Sequence, residues 1–180
     1  MQYLDPAWRP SEYQQMLLDA LGDQDPAEVQ SRTPAVLRDL IAEAGPLVRT
    51  RPEPVEWSVL ECVAHICDAE LVIAGRYRWI LAHDKPEIMP YEQDWWVDKF
   101  HASSNEEPGE VLALFDALRT ADLALWRRTP PEDRLRYGLH RERGPESYDL
   151  TFRITAGHDV VHTAQARRAL EAARKKVESA

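Results

Sequence analysis

The 180-residue sequence has few of the features that place a protein in a membrane or an oxidising compartment. It contains two cysteines, Cys62 and Cys67, which point in different directions if they share a helix and therefore form no disulfide framework. No apolar run approaches the ~18 residues of a membrane span, and the first residues lack the basic and apolar regions of a signal peptide. We therefore expect a cytoplasmic protein with no membrane partner.

Positive charge and glycine are also scarce. Lys and Arg number 22 against 31 Asp and Glu, which leaves a net charge of −9 at pH 7. A nucleic-acid partner is not expected, because neutralising phosphates requires clustered basic residues. The seven glycines are scattered and form no nucleotide-binding pattern. A chain of this length is expected to form one domain with its own core.

Apolar residues recur at helical spacing through most of the chain, and no stretch alternates as a strand does. Ser58 and Glu61 form a capping-box pattern before a helix that is apolar on two faces, and Thr33-Pro34 is typical of another helix start. Principal helices are predicted at 33–48, 57–83, 108–128 and 148–177, after a short helix at 11–21. The pattern predicts an all-α four-helix bundle over 33–178, preceded by a short N-terminal helical extension over 1–32.

Two connections between these helices are long. The segment 85–105 contains two prolines and the pair Trp95-Trp96, and a short helix around 93–101 fits its pattern. Connections of this length in compact domains are often functional. The polar segment 134–148 is expected to be a loop, with a short hairpin as the alternative.

Two histidines, His158 and His162, stand four residues apart in the last predicted helix. At that spacing both side chains lie on one helix face and can bind a single metal ion, although no Glu follows the first one as in an HExxH site. The same residues also fit a solvated face, since they belong to a polar stripe of threonine and glutamine. A third ligand must come from elsewhere, and His65 in the apolar segment 57–83 is the best candidate.

Several neighbouring residues admit two interpretations. Cys62, one turn before His65, is either a fourth ligand or a buried bystander. Asp68 and Asp159 either orient the ligand imidazoles or are solvated. Two further histidines fall in connections and are expected to be exposed, namely His101 and His140.

Two segments carry a family resemblance. Residues 57–70, WSVLECVAHICDAE, are similar to a W-S-x-x-E-x-x-x-H-x-x-D-x-E pattern, and residues 157–162, GHDVVH, to a C-terminal H-x-x-x-H. Both patterns are typical of the DinB/YfiT-like superfamily of bacterial metal-binding four-helix bundles, which the chain resembles over about 33–170. Residues 91–96, YEQDWW, match the polar and aromatic middle loop of that family more loosely.

The resemblance implies a divalent metal ion bound by His65, His158 and His162. Family members carry nickel or zinc, and the related transferases use a low-molecular-weight thiol such as bacillithiol or mycothiol. The resemblance also implies a homodimer, for which the second apolar face of the 57–83 helix offers a contact surface.

Two classes of function follow. Three imidazoles leave a coordination position open, so the ion can activate a water for hydrolysis or ionise a thiol for attack on an electrophile. By resemblance we favour a thiol S-transferase over a hydrolase, acting on a small-molecule substrate, with Asp94 or Glu92 as general base. Trp95 and Trp96 form either an apolar wall of the site or the packing of the loop. The alternative is a non-catalytic metal- or small-ligand-binding bundle, such as a stress-response module, which a fourth protein ligand would favour.

Overall fold

The computed structural model describes residues 11–102 and 104–178, and most of them are helical. The α-helices are α1 (Glu12–Leu21), α2 (Pro26–Ala44), α3 (Val59–Ala82), α4 (Gln93–Trp96), α5 (Pro108–Arg128) and α6 (Tyr148–Glu178). A π-helical segment, Val97–His101, follows α4, and short 3-10 turns lie at Gly45–Leu47 and Asp133–Leu135. In the part of the chain described, no helix is both long enough and apolar enough to span a bilayer.

Helices α2, α3, α5 and α6 form a four-helix bundle, as the apolar periodicity predicts. Each of α2 and α3 packs against both α5 and α6, while α1 lies along α6. The main core cluster contains residues from all four helices, among them Leu37, Leu60, Phe115 and Leu170. Burial of this shared apolar surface stabilises the bundle and places the middle of α3 beside the middle of α6.

Helix α3 begins and ends where its sequence signals predict. The Ser58 side chain accepts a hydrogen bond from the Glu61 backbone N–H, and the Glu61 carboxylate accepts one from the Ser58 N–H. The second apolar face of this helix, which we expected to form a dimer contact, is covered within the chain. Its residues Ile66, Ile73, Tyr77 and Ile80 are all buried.

The predicted helix start at Thr33-Pro34 is wrong, because α2 begins eight residues earlier at Asp25-Pro26. Asp25 caps that end by accepting hydrogen bonds from the backbone N–H groups of Ala27 and Glu28. Pro34 therefore lies inside the helix, where it has no N–H for the carbonyl oxygen of Gln30. Arg119 of α5 donates to that carbonyl at 3.1 Å, so a tertiary contact supplies the missing partner. The predicted boundary between residues 32 and 33 thus falls within a helix.

A small sheet joins the two long connections, although no strand was predicted in the first. Strand β1 (Glu87–Ile88) pairs in parallel with β2 (Tyr137–His140), which pairs antiparallel with β3 (Gly144–Ser147). The hairpin alternative for 134–148 is therefore correct, and so is the short helix within 93–101. Strands of two to four residues are too short to show a period-two pattern.

Helix α1 approaches α6 closely at Gly157. A Cβ atom built on Gly157 would lie 2.0 Å from the carbonyl oxygen of Leu17, a distance that no real contact adopts. Glycine is therefore required for α1 to dock at this point of α6. The contact brings α1 next to His158, the following residue.

Candidate metal centre

The three histidines proposed as ligands lie together inside the bundle. One ring nitrogen from each of His65, His158 and His162 falls within 4.8 Å of the others. Their side chains are buried, with 1%, 7% and 9% of the surface exposed. The packing of α3 against α6 brings His65 to the face of α6 that carries the other two, which lie one helical turn apart. The arrangement can hold one divalent cation.

Gln165 fixes the tautomer of His162. It lies three residues further along α6, and its Oε1 atom accepts a hydrogen bond from His162 Nδ1 at 2.8 Å. With the proton on Nδ1, the Nε2 atom of His162 keeps its lone pair and can act as a metal ligand. Gln165 thus has the orienting role that the sequence analysis considered for Asp68 and Asp159.

The contact between His65 and His158 is compatible with a shared metal ion. Their Nε2 atoms lie 3.0 Å apart, and His65 Nδ1 is buried with no hydrogen-bond partner among the described residues. Two nitrogens bound to one zinc ion at ~2.0–2.1 Å in tetrahedral geometry lie about 3.3 Å apart. Lone pairs directed at one ion need no proton between them, so this donor set fits the group that the family resemblance implies.

Burial keeps all three imidazoles neutral. Desolvation, together with the nearby His162 and His101, lowers the pKa of His65 to about 3. Burial also lowers the pKa of His158 well below its usual value, and it lowers the pKa of His162 despite the hydrogen bond that His162 donates to Gln165. Neutral imidazoles are the form that binds metal, so no proton has to be displaced near pH 7.

Trp57 forms one wall of the histidine cluster. Its ring centroid lies 4.9 Å from that of His65 and 6.3 Å from that of His162. Trp57 begins the first family-like segment, but its side chain was given no role in the sequence analysis. The signal was present in its position directly before the N-cap Ser58, which brings it to the end of α3 that carries His65.

Two cavities flank the cluster. The first, here called the Arg76 cavity, has a volume of about 330 Å³ and is lined by residues that include Tyr13, Leu17, Arg76, Asp94, Arg143 and His158. The second, here called the Trp57 cavity, has a volume of about 560 Å³ and is lined by residues that include Trp57, Asp94, His162, Gln165 and Arg168. Gln93 and Asp94 of α4 border both cavities. The start of α4 is therefore a shared border of the two cavities that reach the histidines.

The two residues proposed as general base, Asp94 and Glu92, both line the Arg76 cavity and are both exposed. Asp94 also borders the Trp57 cavity. The neighbouring tryptophans lie elsewhere: Trp95 is 73% exposed, and with Trp96 and Phe100 it lines a separate shallow depression. Among the described lining residues of the two cavities, neither tryptophan is present, so they do not form the wall considered for them.

Cys62 and the two aspartates take structural positions instead of metal-binding ones. Cys62 is fully buried in the main core, outside the histidine cluster, and burial raises the pKa of its thiol to about 12. Asp68 accepts a hydrogen bond from His101, and Asp159 is bonded to Thr33 and Arg119. Among the described residues, no fourth His, Cys, Asp or Glu joins the cluster of three histidines.

The expectation that His101 and His140 are exposed is wrong. His101 is 7% exposed and lies between Asp68 and Glu106, with nitrogen–oxygen distances of 3.0 and 2.7 Å. His140 is 2% exposed, and its Nδ1 accepts hydrogen bonds from the backbone of residues 142 and 143. Both connections fold back onto the bundle, which the sequence of a loop does not reveal.

A buried ionic network lies next to the histidines. Arg119 of α5 donates to Glu70 of α3 at 2.8 and 2.9 Å and to Asp159 of α6 at 2.5 and 3.1 Å. Thr33 of α2 donates to the same Asp159 at 2.7 Å. All four bundle helices are thus joined at the residue that follows His158, and this linkage holds α6 in register with α3.

Comparison with known proteins agrees with the fold. The family model of the DinB superfamily matches residues 14–166, so the resemblance begins in α1, earlier than residue 33. A protein of Geobacillus thermodenitrificans (strain NG80-2), named "Putative metal-dependent hydrolase", is 38% identical over 48 residues, which span 27% of each chain. The structure of YfiT from Bacillus subtilis, described as "a probable metal-dependent hydrolase with an unusual four-helix bundle topology", is also similar. It superimposes with a TM-score of 0.72 at 20% identity, covering 97% of this chain and 96% of YfiT, which shows a shared fold. With a family model that spans most of its length, the chain belongs to the DinB superfamily.

Proposed function

We propose that the protein is a metal-dependent hydrolase that binds one divalent ion through His65, His158 and His162. The observation that carries the proposal is the convergence of three neutral, buried imidazoles beside two cavities, with no fourth protein ligand among the described residues. Structural metal sites are closed by four ligands, whereas catalytic sites keep a position open. The names of the two similar proteins, "Putative metal-dependent hydrolase" and "a probable metal-dependent hydrolase", support the same reaction class.

Asp94, Gln165 and Trp57 have separate roles in the proposed hydrolysis. A bound divalent ion supplies Lewis acidity and lowers the pKa of water toward ~7. Asp94 lies at the border of both cavities and accepts the proton of the attacking water on its carboxylate. Gln165 holds the ring of His162, and Trp57 excludes bulk water from one side of the cluster. Imidazole ligands suit both zinc and nickel, and we propose these two metals.

Metal analysis after reconstitution tests the site. The wild type is expected to retain about one zinc or nickel ion per chain after desalting, whereas His158→Ala and His65→Ala retain less than a tenth of that amount. The matched control is His83→Ala, which removes an exposed histidine at the end of α3. A wild type that retains no metal would overturn the proposal. Metal-dependent turnover of a panel of small esters and amides then tests the hydrolase.

A thiol S-transferase is the second candidate, and the two cavities favour it. A transferase must hold a thiol and an electrophile at once, and the Arg76 and Trp57 cavities offer one space on each side of α4. The zinc or nickel form is incubated with bacillithiol, mycothiol or glutathione and with 1-chloro-2,4-dinitrobenzene. A conjugate formed only by the metal-loaded wild type supports the transferase. Stoichiometric metal without turnover in either assay would favour the non-catalytic binding module.

We also propose a homodimer in the cytoplasm. The face first considered for the dimer contact is buried within the chain, so a dimer uses another surface. Sedimentation equilibrium over a range of concentrations measures the assembly, and a constant mass of 20.7 kDa would contradict the dimer.

A further inference from the structure

Arg76 of α3 is a buried guanidinium without a counter-ion. Only 5% of its surface is exposed, and it lines the Arg76 cavity together with His158. Its Nη2 atom donates to the carbonyl oxygen of Met89 at 2.8 Å, and its Nε atom is buried with no hydrogen-bond partner in the part of the chain that the structure describes. Among the described residues, no carboxylate lies within ion-pair distance of Arg76. A charge removed from water in this way is costly unless another group compensates it.

Glu146 is the acidic residue whose charge acts most strongly on Arg76, and among the described residues only one of its two carboxylate oxygens has hydrogen-bond partners. Glu146 of β3 accepts hydrogen bonds on Oε1 from Gln14 at 3.0 Å and from Arg143 at 2.5 Å. Its field raises the pKa of Arg76, but burial lowers that pKa more strongly, so the guanidinium is not fully compensated. Arg76 and Arg143 carry two positive charges against the single negative charge of Glu146. These three buried or half-buried groups therefore have an excess of one positive charge, whereas the other acids that line the cavity, Glu92, Asp94 and Glu142, are exposed to water.

The position of Arg76 along α3 sets the shape of a suitable ligand. Arg76 lies eleven residues after His65, which is about 16 Å of helical rise, and its side chain points back toward the N-terminal end of the helix. Ala69 and Ile73 line the cavity between them, so the floor of this space is apolar. A cavity of about 330 Å³ lies at the lower end of the ~300–1,000 Å³ range of small-molecule sites.

We infer that the Arg76 cavity binds a small molecule through a carboxylate received by Arg76, with an apolar segment over Ala69 and Ile73 and the opposite end beside His158. A planar carboxylate matches the fork of donors on a guanidinium, and its single charge equals the excess positive charge around Arg76. Three exposed acids, Glu92, Asp94 and Glu142, also line the cavity, where water screens their charges. That this small molecule is the substrate rests on the proposed function. That the cavity binds a carboxylate does not require the metal.

The test compares 4-phenylbutyrate with its neutral isostere 4-phenylbutanamide, titrated into metal-free protein and followed by calorimetry. The wild type is expected to bind the carboxylate at least tenfold more tightly than the amide. Arg76→Gln should bring the two affinities within about twofold, and Arg76→Lys should retain part of the preference because it keeps the charge but not the fork. Arg153→Gln, which removes an exposed arginine of α6, is the matched control and should bind like the wild type.

The ratio of the two affinities does not depend on how much of a variant is folded, so partial unfolding does not obscure the outcome. Equal affinities in the wild type, no measurable binding of the carboxylate, or a preference that persists in Arg76→Gln would each overturn the inference. Metal retention is measured separately, on portions of the same preparations reconstituted with zinc or nickel. A variant that loses the preference but binds metal supports the inference, and a wild type that keeps the preference but binds no metal refutes only the proposed function.

Discussion

The Nε2 atoms of His65 and His158 lie 3.0 Å apart, although 93 positions separate the two residues in the chain. Neither residue belongs to a local motif with the other, so the packing of α3 on α6 alone creates the pair. Four residues outside the histidine cluster, namely Arg119, Gly157, His140 and Asp94, are expected to affect the stability of the fold or the chemistry at the site. Each can be changed separately.

Arg119 is expected to be the most important polar residue for stability. Replacing it by Met leaves Glu70 and Asp159 buried without their shared partner, and removing one member of a buried ion pair costs about 3–5 kcal/mol. We therefore expect Arg119→Met to lower the free energy of unfolding by about that amount, measured by urea denaturation.

The control for Arg119 is the exposed pair between Arg38 and Asp116, with side chains 51% and 40% exposed. Arg38→Met should change the free energy of unfolding by less than about 1 kcal/mol, because water already solvates both charges. Equal effects of the two substitutions would show that the buried network does not hold the bundle together.

Gly157 is expected to tolerate no side chain. In Gly157→Ala the new methyl group meets the carbonyl oxygen of Leu17, so α1 must move away from α6. Overpacking of this kind costs about 1–3 kcal/mol, and the shift should also weaken ligand binding in the Arg76 cavity, which Leu17 lines. Thermal unfolding followed by circular dichroism measures the loss.

Gly109 near the start of α5 provides the opposite case. A Cβ atom there meets nothing within 4 Å, so Gly109→Ala should stabilise the protein by about 0.4–1 kcal/mol through the lower entropy of the unfolded chain. If both alanine variants gave the same change in stability, the close contact between α1 and α6 would be refuted.

His140 is expected to make stability sensitive to acid. Burial, with further repulsion from Arg143 and Arg76 and partial compensation by Glu146, lowers its pKa to about 4, against about 6.5 in the unfolded chain. Below pH 6.5 the unfolded chain binds a proton that the folded protein does not. The contribution of His140 is therefore present above pH 6.5 and is lost as the pH falls toward 4.

Urea denaturation of the metal-free protein between pH 7 and pH 4 measures this dependence. The wild type should lose stability across the window, and His140→Gln should lose less, because glutamine takes up no proton. Parallel curves for the two proteins would contradict the assignment. His65 and His158 contribute with the same sign, so the variant keeps part of the slope.

Asp94 is expected to affect turnover and not metal binding. If it accepts the proton of the attacking water, Asp94→Asn should lower kcat for ester or amide hydrolysis by roughly 10²–10⁴-fold, with metal content unchanged. Asp98→Asn is the control, since Asp98 is an exposed acid in the same segment that lines neither cavity among the described residues. A comparable loss in both variants would indicate a general effect of charge.

Local signals in the sequence determine the helices of this protein. The capping box at Ser58 and Glu61 and the Pro108 start are short-range patterns, and the observed helices begin there. The four-residue spacing of His158 and His162 likewise determines that they share a face, because helical geometry is local. The apolar stripes then require that the helices pack together, so the bundle itself was predictable.

Only the tertiary structure decided which polar residues became buried and what they meet. Pro34 fits inside α2 because Arg119 bonds the carbonyl oxygen that proline leaves without a partner, and no pattern near residue 34 encodes that contact. Arg76 looks like an ordinary arginine on a helix, yet packing turns it into a buried charge beside His158. The free energies of burial and charge pairing depend on neighbours distant in sequence, which is why the histidine spacing indicated a metal centre while its walls and cavities required the fold.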